Sequence, residues 1–197
     1  MKRVMMLLVL ILSAVYADAQ ELSGVWGVPF GVSVEESKEI IKEKHGVRPT
    51  SVEKDMVEYG TCMFGDFEAV GVRLRYENGR LYMAEVYMAG ADIMQMFDKY
   101  MAVIGQLEKK HGKSDWSIAL FKGDKKEKAN KHKIVAKYKD ATRANLWWFP
   151  KGSKGDKAKG AILCSVEDEN NFKLLYVENE TYNKVVARNQ AKALTDY

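Results

Sequence analysis

Val70-Gly71-Val72-Arg73-Leu74-Arg75-Tyr76-Glu77-Asn78-Gly79-Arg80-Leu81-Tyr82-Met83-Ala84-Glu85-Val86-Tyr87-Met88 decides the architecture of this 197-residue chain. Val70, Val72, Leu74 and Tyr76 alternate with Gly71, Arg73, Arg75 and Glu77, the period-two pattern of a strand with one apolar and one polar face. Asn78-Gly79 then supplies the two left-handed residues of a type I′ turn. The returning strand runs from Arg80 to Met88. Pairing across the turn puts Val70, Val72, Leu74, Leu81 and Met83 on the core side. Arg73, Arg75, Arg80, Tyr82, Ala84 and Val86 fall on the opposite side.

Towards the N-terminus, Val25–Phe30 reads as a short strand, with Pro29 marking an edge or a strand end. Ser33 and Glu36 have the spacing of a capping box, so a helix starts at Val34. It turns Val34, Ile40 and Ile41 inward and stops at His45-Gly46, where glycine accepts the left-handed conformation of a helix end. Strand-like runs Ser51–Tyr59 and Thr61–Tyr76 lead into the hairpin. Beyond it, Asp92 opens a second helix, with Ile93, Phe97, Tyr100, Met101, Ile104 and Leu107 on one stripe and an end at His111-Gly112. Further strands are expected at Ile118–Phe121, Lys133–Lys139 and Thr142–Phe149, then a hairpin of Ala161–Val166 and Phe172–Val177. A last helix spans about Tyr182 to Leu194, with Tyr182, Val185, Val186 and Leu194 inward. In Trp147-Trp148-Phe149, Trp147 and Phe149 point one way while Leu146 and Trp148 point the other. One set faces the core, and the other is covered by the final helix or left as an exposed patch.

The two halves follow the same plan: a capped helix ending in His-Gly, strands, and a closing hairpin with Asn in its turn. The expected fold class is α+β, a mainly antiparallel sheet with helices on one face, built as a duplicated α-β-β-β unit plus a C-terminal helix. Residues 20–90 form the first unit and 91–197 the second, with lysine-rich insertions, together making one compact domain.

Lys2-Arg3, the apolar run Val4–Val15 and the small-x-small motif Ala17-Asp18-Ala19 are the three parts of a secretory signal at 1–19, in order. The run is shorter than the roughly 18 apolar residues of a membrane anchor, and no cysteine follows it to take a lipid. The expected location is periplasmic or extracellular. Residues 20–112 carry 11 basic and 15 acidic residues, and 113–197 carry 18 and 11. Lys122–Lys139 holds eight lysines and Lys151–Lys159 four, the composition of a solvated loop or of a footprint for an anionic envelope glycan. This balance does not make the whole chain a nucleic-acid binder.

The stretch Trp26-Gly27-Val28-Pro29-Phe30-Gly31-Val32-Ser33-Val34-Glu35-Glu36 resembles the opening of small exported bacterial domains of unknown function. The tandem plan of helix and three strands resembles β-lactamase-inhibitor-protein-like domains and the related outer-membrane assembly lipoproteins. That resemblance implies a protein-binding module working through a sheet surface, without catalysis. The assembly proteins are lipid-anchored single units, and this chain has no lipidation cysteine.

Catalytic motifs are absent. His45, His111 and His132 stand at no ligand spacing, so no metal is expected, and His45 and His111 suit the negative ends of helix dipoles. Gly152–Gly160 lacks the Walker order, and no Gly-x-Ser-x-Gly occurs. No cofactor is expected. Cys62 and Cys164 are either bridged, worth about 4–5 kcal/mol in the loop-entropy picture, or two separate buried thiols. The candidate binding residues are Arg73, Arg75, Arg80, Tyr82 and Trp148, since Arg, Tyr and Trp dominate interfaces when a sheet face is left open. The expected role is an exported binding module for a protein or envelope component. The alternatives are a small hydrolase with paired carboxylates, or a purely structural envelope protein.

Overall fold

The computed structural model describes residues 21–121, 141–168 and 170–195. The signal 1–19, the lysine tract and the strand expected at Lys133–Lys139 lie outside the described residues. In chain order the elements are β1 (Gly24–Val25), β2 (Val28–Pro29), α1 (Val34–His45), β3 (Ser51–Val52), β4 (Met56–Tyr59), β5 (Cys62–Phe64), β6 (Phe67–Ala69), β7 (Gly71–Glu77) and β8 (Arg80–Ala89). Then come α2 (Ile93–His111), β9 (Trp116–Phe121), β10 (Ala141–Phe149), a 3-10 turn at Gly155–Lys157, β11 (Gly160–Val166), β12 (Asn171–Glu178) and α3 (Asn179–Thr195).

The fold is α+β. Eight strands form one antiparallel sheet in the order β3-β4-β7-β8-β12-β11-β10-β9, and β1-β2 and β5-β6 are separate hairpins. Each half is thus a helix followed by a four-stranded meander, one strand more than the α-β-β-β expectation, and the two meanders join last strand to last strand through β8 and β12. Tight turns join β3 to β4, β7 to β8 and β11 to β12, as antiparallel partners allow, while the β5–β6 hairpin lies between β4 and β7.

Local signals set the helices. Ser33 Oγ accepts from the Glu36 N–H while Glu36 Oε2 accepts from the Ser33 N–H, and Gly46 ends α1 at φ 68°. Asp92 Oδ1 accepts from the Gln95 N–H at the start of α2. Gly90 is needed for a different reason: a Cβ there would lie 2.2 Å from the Met96 backbone nitrogen, where β8 runs hard against α2.

α1 and α2 cover one sheet face. Its register places Leu74, Ala84, Tyr176, Ile162 and Trp147 in one row across five strands, all buried under Ile41, Met96, Tyr100 and Ile104. Full burial of side chains of this size contributes roughly 1.5–3 kcal/mol each. Trp147 also satisfies its indole, donating Nε1–H to the Gly112 carbonyl at 2.9 Å.

A bulge between Arg75 and Tyr76 corrects the expected hairpin pairing. Tyr76 faces Leu81 and Arg75 faces Met83, so Tyr82 is the extra residue and the parity of β8 changes beyond it. Ala84 and Val86 therefore lie in the core opposite Leu74 and Val72, instead of beside the arginines. Met83 is buried on the other face, and Val70, which precedes β7, is exposed.

α3 lies on that second face. Tyr182 and Val185 pack on Tyr82, Met83, Ala161 and Val177. Trp147 and Phe149 thus enter the core under α1 and α2, while Leu146 and Trp148 lie half-buried on the second face, against the cluster that α3 also packs on. Glu178 accepts from the Glu180 and Thr181 N–H groups at the start of α3. Arg188 clamps the helix to the end of β7 through a two-pronged pair with Glu77.

Candidate binding cleft

The five candidate binding residues do not form one surface. Tyr82 is buried beneath α3, and Trp148 is half-buried on the same face. Arg80 stands at the hairpin tip and donates to the Gly31 carbonyl at 2.9 Å. Arg73 and Arg75 do share the part of the face that α3 leaves open, but their charges are already answered. Arg73 bonds Glu58 at 2.6 Å, and Arg75 bonds the buried carboxylate of Glu85 at 2.9 Å. Lys173 reaches the same carboxylate at 4.0 Å, so three cations surround Glu85. Tyr87 completes the strip, with the Arg73 guanidinium 5.5 Å and the Lys173 amine 5.9 Å from its ring centre.

Cys62 and Cys164 are both free thiols, buried in the helix-side core on different sheets. Burial pushes both thiols above the usual cysteine range.

A cleft of about 550 Å³ opens elsewhere, where the β1–β2 hairpin, the β5–β6 hairpin and the second half of α2 meet over the sheet. Met88, Leu174 and Tyr176 form its floor, and Phe64, Phe67, Val103 and Leu107 its apolar sides. Trp26, His45 and His111 also line it. The two His-Gly helix ends that the sequence shows as a repeated stop signal thus converge on one cavity.

Trp26 reaches this wall by an unusual local fold. Val25–Phe30 is not one strand; it turns at Trp26-Gly27, with φ 53° and 73°, so β1 and β2 pair as a two-residue hairpin. A tryptophan at positive φ is strained and persists only where its surroundings hold it. The end of α1 does so: Lys44 Nζ donates to the Gly27 carbonyl at 2.9 Å and His45 Nε2 donates to the Trp26 carbonyl at 3.0 Å. The latter bond requires a proton on Nε2 of His45. His45 also stacks on the indole at 4.7 Å, and Tyr59 meets it edge-on at 5.5 Å.

Among the described residues three buried side-chain polar atoms have no partner: Trp26 Nε1, Tyr59 Oη and His111 Nδ1. Two belong to the cleft wall, and the third packs against Trp26. Buried polar atoms of folded proteins are nearly always satisfied, so a cluster of exceptions asks for an explanation. Burial, reinforced by Lys110 and Lys151, pushes His111 down to about 4, which keeps its ring neutral at pH 7. Among the described residues no Asp or Glu lines this cleft, although Asp66, between the lining Gly65 and Phe67, accepts from the lining Gln106 at 2.7 Å. Glu167 and Asp168 line a shallower hollow on the opposite face, where Asp168 holds its own turn through Asn170 and Asn171. Among the described residues no group of three His, Cys, Asp or Glu is placed to hold a metal ion.

The sequence reading missed Trp26 as a site residue. Its signal was there: Trp26-Gly27 between apolar pairs has a hairpin glycine in the second turn position. No family model matches the chain, and neither does any curated protein or solved structure.

Proposed function

We propose that this is an exported, non-enzymatic binding module, made of two related helix-and-meander halves, whose binding site is the cleft walled by Trp26 and His111. The observation that carries the reading is that, of the three unpaired buried polar side-chain atoms among the described residues, two belong to residues lining that one cavity and the third to Tyr59, whose ring packs against Trp26. A volume of about 550 Å³ with apolar walls and a few polar groups suits a small ligand. Export rests on the charged start, apolar run and Ala17-Asp18-Ala19 of the sequence. N-terminal sequencing of the protein recovered from its producing cells tests it, with Gln20 as the expected first residue.

The binding reading is tested by titrating the purified protein with a small apolar fluorophore. One-to-one saturable emission is expected, and Val103→Trp, which sets a large ring in the cleft, abolishes it while far-UV circular dichroism stays unchanged. Emission that is unaltered in Val103→Trp sinks the reading.

A second reading keeps the resemblance to protein-binding sheet surfaces. It is favoured by Tyr87, half-buried between Arg73 and Lys173 on the part of the face beyond α3. An aromatic ring flanked by cations suits a protein partner. Its helices give it no membrane span: among the described residues none is long and apolar enough to cross a bilayer.

A further inference from the structure

We infer that the cleft takes an uncharged, lipid-like molecule, its apolar body on the buried floor and an uncharged polar end at the rim. This rests on the cleft being the binding site and names the chemistry of its ligand.

Exposure sorts the lining into two layers. Val28, Met88, Val103, Leu107 and Leu174 are buried and present carbon to the cavity. Ser23, His45, Gln106 and Lys110 are exposed and make the rim polar. An apolar body therefore gains most by lying on the floor, and each methylene buried there contributes about 0.8 kcal/mol. A hydrogen-bonding end loses least where it keeps contact with water, beside the polar side chains of the rim.

The surroundings of the cleft carry charge of both signs. α1 and α2 end there, at His45 and His111, and the carbonyl end of a helix amounts to about half a negative charge. Asp66 adds a carboxylate, bonded to the lining Gln106 at 2.7 Å. Two amines oppose them: Lys110, and Lys44 through its bond to the carbonyl of the lining Gly27. His111, pushed down to about 4 by burial, adds no charge at pH 7. An anion thus lies near Asp66 and two helix ends, and a cation lies near two lysines. With neither sign in excess, an ion of either kind gives up hydration for charges that largely cancel. An uncharged molecule has no such hydration to lose, so the same apolar floor holds it more tightly.

The test uses the full chain at pH 7 and three probes with one tail: octanol, octanoate and octylammonium. Calorimetry is expected to rank octanol at least about tenfold tighter than either ion. In methyl-labelled protein the Val103 and Leu107 signals shift as octanol saturates, which places the tail without any substitution. Asp66→Asn narrows the octanol-to-octanoate ratio about threefold, the size expected of a partly screened charge. Lys110→Gln narrows the octanol-to-octylammonium ratio about as much. An ion that matches octanol, with shifts at the same methyl groups, overturns the uncharged ligand and leaves the cleft standing. Ratios that neither charge variant moves overturn the opposed charges on which the inference rests. Binding by none of the three, or binding that leaves those methyl signals in place, overturns the cleft as well.

Discussion

Two turns of this molecule share a backbone and differ in what stands on it. Asn78-Gly79 has φ 52° and 73°, and Trp26-Gly27 has 53° and 73°. Asparagine tolerates the left-handed region because its short polar side chain bonds locally, and at the tip of β7–β8 it points into solvent. That turn needs nothing from the rest of the chain. Tryptophan gains no such local relief. It is held by the end of α1, stacked on His45 and turned into a cavity wall. The first turn is there to pair two strands. The second spends strain to place an indole, and strain of this kind collects where a protein handles a ligand.

Exchanging the two residues breaks the comparison most severely. Trp26→Asn suits the backbone but empties the space among His45, Tyr59 and Phe64, so a net loss of about 2–4 kcal/mol is expected by urea unfolding. Asn78→Trp, exposed and with no partner waiting, costs only about 1 kcal/mol of left-handed strain. Equal costs would remove the distinction drawn between the turns.

Acid sharpens the comparison, because only the Trp26 turn shares its cavity with a buried imidazole. His111 is held down to about 4 against an ordinary value of 6.5, so between those values the unfolded chain binds the proton and the folded one does not. Stability is then full above about pH 6.5 and falls as the pH drops towards 4, by roughly 1–3 kcal/mol. Melting temperatures measured from pH 7 to 4.5 are expected to fall. His111→Gln flattens that slope, and a slope unchanged by the substitution would place its origin elsewhere.

The glycines give a finer measure. At a shared φ of 73°, alanine strains both turns by about 1 kcal/mol. A Cβ on Gly79 meets nothing within 4 Å, while one on Gly27 lies 3.0 Å from the Lys44 side chain. Gly27→Ala is therefore expected to cost some 0.5 kcal/mol more than Gly79→Ala. Lys44→Ala, which removes both the amine and the Cδ that the added Cβ would meet, costs about 0.5 kcal/mol, the smallest effect of the set, and in its background the two glycine substitutions become equal. A gap that persists without the amine would mean that the lysine does not hold the turn.

Much of the fold was legible in the sequence. Ser33 with Glu36, Asp92 at the start of α2, the His-Gly helix ends and Asn78-Gly79 all appear as read, because each acts over three or four residues of chain. The candidate site was not. The expected face of Arg73, Arg75, Arg80, Tyr82 and Trp148 assumed an unbroken register and an open face, but a bulge follows Arg75, α3 packs on Tyr82, and Trp148 is half-buried on the same face. Trp26 was taken for a strand residue because its turn has no asparagine to announce it.

By itself, the sequence determined the helices, the β7–β8 hairpin, the α+β class and the antiparallel neighbours, since propensity, capping and periodicity are local properties. Only the tertiary structure decided which face α3 covers, where the parity of β8 changes, and that Trp26, His45 and His111 meet. Those outcomes turn on contacts between residues far apart in the chain. Their energies depend on which surfaces the assembled sheet brings together, and no short stretch of sequence carries that information.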